Sequence, residues 1–108
     1  MLPVVICLLL GACRERAKAV PSNGRMDEAG QYLLRKGDQT YELAVRYSRE
    51  KTVVVEVRYA GTTLIKEDTA ASMYIRWYLF WDEPEGLLWL YSSDIGTKYY
   101  DLSKQVPP

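Results

Sequence analysis

Hydrophobic and polar residues alternate with a period of two over most of the chain beyond residue 30. Over residues 40–48, Tyr41, Leu43, Val45 and Tyr47 share one face, while Glu42, Arg46 and Ser48 share the other with Ala44 among them. Over residues 52–59, Val53, Val55, Val57 and Tyr59 line one face and Val54, Glu56 and Arg58 the opposite one. Successive side chains of a strand point to opposite sides of its sheet, so this pattern predicts half-buried strands. The excess of β-branched residues suits a pleated surface. A shorter strand is predicted over residues 31–36, closed by Gly37-Asp38. Ser48-Arg49-Glu50-Lys51 is a polar turn, and Gly61 allows a tight turn into a strand over residues 62–66.

The C-terminal half is more apolar. Residues 67–72 are polar or small and read as a loop, or as one helical turn capped by Asp68. Residues 73–81 form the strongest predicted strand. Met73, Ile75, Trp77, Leu79 and Trp81 make one face, and Tyr74, Arg76, Tyr78 and Phe80 the other. Asp82-Glu83-Pro84-Glu85-Gly86 is a turn, residues 87–92 return, and residues 93–97 resemble a hairpin loop before a last strand over 98–102. Pro107 and Pro108 keep the tail, residues 103–108, out of any sheet. A five-residue loop at 82–86 would set Trp81 opposite Leu87, Leu79 opposite Trp89 and Trp77 opposite Tyr91, and a slip of one residue would exchange the faces. In either register both faces of this hairpin are apolar. One fills the core, and the other lies under a second layer or meets a partner. The predicted fold is all-β, a small antiparallel sandwich or barrel of about six to seven strands built from consecutive hairpins.

The first 30 residues follow a different pattern. Residues 1–12 are apolar and uncharged. They are too few to span a bilayer, which takes about 20 apolar residues, but they suit the apolar core of an export signal. Leu10-Gly11-Ala12-Cys13 resembles the lipobox of bacterial lipoproteins. The resemblance covers only these first residues and assigns the remaining domain to no family. It implies a lipid thioether on Cys13, cleavage before it and acylation of the new amine, so the partner at this end is a membrane held through acyl chains. Arg14, rather than Asp, after the cysteine implies the outer membrane, facing the periplasm. Residues 14–30 contain no aromatic and are broken by Pro21, Asn23 and Gly24, which reads as a flexible tether with at most a helical turn over 26–29. The predicted organisation is a signal peptide over 1–12, a lipidated cysteine and tether over 13–30, a β domain over 31–102 and a tail over 103–108.

Composition narrows the chemistry. The chain has 14 basic and 14 acidic residues, with none of the clustered basic excess that nucleic acid calls for. It has no histidine, which removes the commonest general base and the commonest metal ligand. Cys7 and Cys13 both lie in the leader region, leaving the domain without a disulfide or a Cys/His zinc site. No metal and no cofactor is expected. Ser92-Ser93-Asp94 sets a nucleophile type beside a carboxylate but lacks an evident base, and reads as a turn with Asp94 bonding its own backbone. Asp82, Glu83 and Glu85 flank Pro84 and Gly86 and read as a solvated turn.

What remains is an aromatic excess, 9 Tyr, 3 Trp and 1 Phe, all lying between Tyr32 and Tyr100. Tyr, Trp and Arg are enriched at interaction hot spots, so the Tyr74, Arg76, Tyr78 and Phe80 face is the candidate binding surface. The expected function is that of a non-enzymatic, membrane-anchored envelope binding domain: an inhibitor or immunity-type protein, or a binder of an envelope polymer. A structural or assembly accessory of an envelope complex is the alternative. A small envelope hydrolase has the least support.

Overall fold

The computed structural model describes residues 17–105. Nine strands follow in chain order: β1 (Lys18–Ala19), β2 (Arg25–Met26), β3 (Gly30–Lys36), β4 (Gln39–Tyr47), β5 (Thr52–Tyr59), β6 (Thr62–Ser72), β7 (Trp77–Asp82), β8 (Leu87–Ser92) and β9 (Gly96–Asp101). They build a β-sandwich from a five-stranded sheet, β1-β3-β4-β5-β6, and a four-stranded sheet, β2-β7-β8-β9. All pairings are antiparallel except β1 with β3. The seven longer strands are consecutive in sequence, and hairpins join them within each sheet.

The alternation decides which side chains face inward. From the five-stranded sheet come Leu34, Tyr41, Leu43, Val53, Val55 and Val57, all fully buried. From the other sheet come Leu79, Trp81, Leu88 and Leu90, also fully buried, with Trp77 and Tyr100 nearly so. Two edge-on aromatic pairs cross between the sheets: Trp81 on Tyr41, with centroids 6.2 Å apart, and Trp77 on Tyr47 at 6.3 Å. The buried Trp81 indole N–H donates to the Arg35 carbonyl of the facing sheet at 3.2 Å. A buried indole stabilises through its area only if its one donor is satisfied, and here it is.

Four expectations need correction. Residues 18–26, read as tether, contribute β1 and β2. β1 extends the edge of β3 and β2 the edge of β7, and Met26 is buried in the core, so no helical turn forms there. The chain passes between the sheets over residues 20–24, where Asn23 N–H donates to the Trp81 carbonyl at 2.8 Å and Trp81 N–H to the Gly24 carbonyl at 2.9 Å. Gly24 is required by the close approach, because a Cβ there would lie 2.8 Å from the Pro21 carbonyl oxygen. Weak hydrophobicity hid this segment, whose order comes from backbone hydrogen bonds to strands already in place.

Residues 67–72 are strand, not loop or helix. β6 runs to Ser72 with a bulge opposite Val53. Buried Thr69 donates its hydroxyl to the Val53 carbonyl at 2.8 Å and accepts from Ala71 N–H at 3.1 Å. The threonine supplies the hydrogen bonds that the broken ladder lacks, which is why a polar stretch continues a strand here.

The strand expected over 73–81 begins only at Trp77, because residues 73–76 carry the chain from one sheet to the other. The β7–β8 turn is one residue tighter than expected. Asp82 joins the ladder opposite Leu87, so Trp81 faces Leu88, Leu79 faces Leu90 and Trp77 faces Ser92. The turn closes with Gly86 N–H on the Glu83 carbonyl at 3.1 Å, and Gly86 takes a φ of 69° that a side chain would resist.

Trp81→Ala should cost about 3–5 kcal/mol, the range for truncating a buried aromatic. Arg46→Ala, which removes an exposed ion pair with Glu56 at 3.3 Å, should cost no more than about 1 kcal/mol. Urea unfolding followed by far-UV circular dichroism measures both.

Candidate functional site

The register just described turns one set of aromatics outward on the four-stranded sheet. Phe80 stands opposite Trp89, and Trp89 opposite Tyr99. In the neighbouring row Tyr78 stands opposite Tyr91, and Tyr91 opposite Thr97. Directly opposed residues on adjacent strands touch: Tyr78 and Tyr91 are stacked with centroids 5.2 Å apart, and Trp89 and Tyr99 tilt together at 5.0 Å. β2 brings Arg25 alongside Phe80, and the Arg25 guanidinium lies 3.9 Å from the centre of the Tyr78 ring. At an exposed site such a cation–π contact is worth about 0.5–1 kcal/mol. Arg25, Tyr78, Phe80, Trp89, Tyr91 and Thr97 line a shallow groove of about 420 Å³, with Tyr99 beside Trp89. Tyr78, Phe80 and Trp89 are half-buried, whereas Tyr91 is 36% and Tyr99 55% exposed.

The outer face of the five-stranded sheet is of opposite character. There the rows run Leu33, Glu42 and Arg58, then Gln31, Ala44 and Glu56. Small Ala44 leaves a polar dent of about 250 Å³ rimmed by Glu42, Glu56 and Arg58. Charged side chains are satisfied by water there, so that face has nothing to hide. The aromatic face leaves apolar ring area in water, and this asymmetry makes it the candidate site.

Of the residues singled out from sequence, Tyr78 and Phe80 stand on this face. Tyr74 and Arg76 do not, because they lie in the 73–76 crossover at one end of the sandwich. Trp89, Tyr91, Tyr99 and Arg25 take their place. The alternation within residues 87–92 carried a signal for Trp89 and Tyr91, but the register was needed to tell which face turned outward. Arg25 had no sequence signal. Cys13 and the residues before it lie outside the described residues.

Ser92 is buried and donates its hydroxyl to the Asp94 carboxylate, which also accepts the Ser72 backbone N–H at 3.0 Å. Asp94 therefore ties the β8–β9 turn to the end of β6. The Ser92 hydroxyl, then the Ser72 N–H, hold the carboxyl below the usual carboxylate range. Asp82, Glu83 and Glu85 form no metal-sized cluster, nor do any three acidic or cysteine ligands among the described residues. At the open edge between the sheets, Lys98 of β9 pairs with Glu67 of β6. Near this pair the Tyr100 hydroxyl is buried, and its ionisation is pushed well above the phenol range by burial, then by the Glu67 carboxylate.

Fold and surface thus define a two-sheet β-sandwich with one charged and one aromatic outer face. Comparison with protein-family models, curated proteins and solved structures returned no match. Among the described residues no helix is long and apolar enough to cross a membrane.

The lowered Asp94 ionisation sets a pH dependence. A carboxylate stabilised by folding contributes above its unfolded range, near about pH 4, and loses that contribution as pH falls through its lower folded value. The difference in melting temperature between the parent chain and Asp94→Asn should hold steady above that range and close below it, as read by thermal denaturation across an acid series.

Proposed function

We propose that the chain is a lipid-anchored binding protein of the bacterial envelope, held by acyl chains on Cys13, that engages a protein partner through the aromatic face of its four-stranded sheet. The observation that carries this reading is the solvent-facing set Tyr78, Phe80, Trp89, Tyr91 and Tyr99 beside Arg25. Four of these rings are ordered in pairs, Tyr78 on Tyr91 and Trp89 on Tyr99, so little of their side-chain entropy is left to lose on binding. Tyr, Trp and Arg are the residue types that dominate hot spots, and a shallow open groove suits a protein surface better than a small molecule, which is usually enclosed. The absence of histidine and the structural use of Ser92 and Asp94 favour binding over catalysis. An inhibitor or immunity role belongs to this class, as does recognition of an envelope polymer.

Trp89→Ala and Tyr91→Ala should each weaken capture of the envelope partner about tenfold or more, or about 1.4 kcal/mol and upwards, with unchanged circular dichroism. Arg46→Ala on the opposite face should leave capture intact. Binding indifferent to all three substitutions would remove the aromatic face from consideration. Partial loss accompanied by co-purification of a multi-subunit membrane complex would favour the accessory role, and retention by glycan polymer alone the polymer-binding one. For the anchor, Cys13→Ser should move the protein from the membrane to the soluble fraction, and continued flotation with membranes would refute the lipidation.

A further inference from the structure

Exposed apolar side chains are not spread evenly over the two ends of the sandwich. One end carries the turns at 37–38, 60–61 and 83–86, and among the described residues none of the large exposed hydrophobics lies there. The other end carries the turns at 48–51 and 93–95 and the crossover at 73–76. Here Tyr74 is 73%, Ile75 41% and Ile95 40% exposed. The three loops are tied together. Met73 N–H donates to the Lys51 carbonyl at 2.9 Å, Ser93 N–H to the Arg76 carbonyl at 3.0 Å, and Ser72 N–H to Asp94 at 3.0 Å. The result is a braced apolar tip.

The tip stands at the same end as the start of the described chain. β1 runs parallel to β3 with Lys18 level with Tyr32, so Ala17 lies beside the beginning of β3. The beginning of β3 pairs with the end of β4, next to the 48–51 turn. Only residues 14–16 separate Ala17 from Cys13. In any conformation, four Cα steps span at most about 14 Å. The nine residues of β4 extend about 30 Å from that end toward the opposite turns. A bilayer holding Cys13 therefore lies within a short leash of the tip and well away from the opposite turns.

We propose that this tip, formed by Tyr74, Ile75 and Ile95, docks into the headgroup region of the membrane that holds Cys13. The proposal rests on the lipid-anchor reading. Tyrosine favours the membrane–water interface, and interfacial elements sink their apolar side about 5–10 Å below the surface. Arg49, Lys51 and Arg76 on these loops are offset by Glu50 and Asp94 on the same loops and by Asp27 and Glu28 beside them, so apolar contact rather than net charge holds the tip. The aromatic face of the four-stranded sheet then stands upright from the bilayer, open sideways to its partner.

The test uses the full lipidated chain in vesicles of phosphatidylethanolamine and phosphatidylglycerol containing a nitroxide-labelled lipid. An environment-sensitive dye is placed in turn at Ile75→Cys, Ile95→Cys and, at the opposite end, Asp38→Cys. Blue-shifted emission quenched by the nitroxide is expected at 75 and 95, unquenched aqueous emission at 38, and the contrast should survive high salt. Tyr74→Ser combined with Ile95→Ser should abolish quenching at 75 while the chain still floats with the vesicles. A floating chain with equal quenching at 75 and 38 overturns the tip but not the anchor. Shielding of 75 only on addition of the captured partner, without nitroxide quenching, also overturns it and makes the tip a protein contact. A chain that fails to float overturns the anchor, and the tip proposal with it.

Discussion

Trp81 is the side chain on which most of the structure depends. Its ring fills the space between the sheets against Tyr41, and its indole N–H reaches across to the Arg35 carbonyl. Its backbone N–H and C=O both pair with residues 23–24, which holds the segment leading into β2. A one-residue slip of the β7–β8 hairpin would turn Trp81 outward, leave that indole donor without its partner and unpair the segment. Register, sheet-to-sheet packing and the order of the N-terminal strands are therefore coupled through one buried residue. Burial of its large apolar area supplies the driving force, and its single donor supplies the direction.

With Trp77, Leu79 and Trp81 committed to the core, the alternating partners have nowhere to go but outward. Tyr78, Phe80, Trp89, Tyr91 and Tyr99 form a surface whose rings shelter one another, helped by Arg25 across Tyr78. The five-stranded sheet had the same geometric freedom, yet Glu42, Glu56, Arg46 and Arg58 stand among its outer positions, and among the described residues no aromatic pair forms there. Apolar area left in water by one sheet and avoided by the other is a cost to the isolated domain that binding would relieve.

The ends of the sandwich differ as its faces do. Loops at one end are braced by three cross-loop hydrogen bonds and expose Tyr74, Ile75 and Ile95. The N-terminal segment leaves from that same end, because β1 lies parallel to β3. A parallel edge strand of two residues thus has a consequence larger than its stability: it fixes the direction from which the chain arrives. Under the proposed lipid anchor, tip and aromatic face would share one orientation, with the domain standing on the membrane and its aromatic face turned sideways.

The sequence by itself determined the fold class and the greater part of the core, because a period of two needs only local information. Tyr41, Leu43, Val45, Val53, Val55, Val57, Trp77, Leu79 and Trp81 were all legible as inward positions, and the missing histidine already argued against common catalytic and metal chemistry. Two residues of the candidate site were legible, Tyr78 and Phe80. Only the tertiary structure decided the rest. The pairing of Asp82 with Leu87 selected Trp89 and Tyr91 as their neighbours, the crossover between sheets removed Tyr74 and Arg76 to the tip, and a backbone ladder to β7 delivered Arg25. Thr69 kept a polar stretch in β6 by bonding to a carbonyl 16 residues away in sequence. Each of these outcomes depends on hydrogen bonds or contacts between segments distant in the chain, and local alternation carries no record of them.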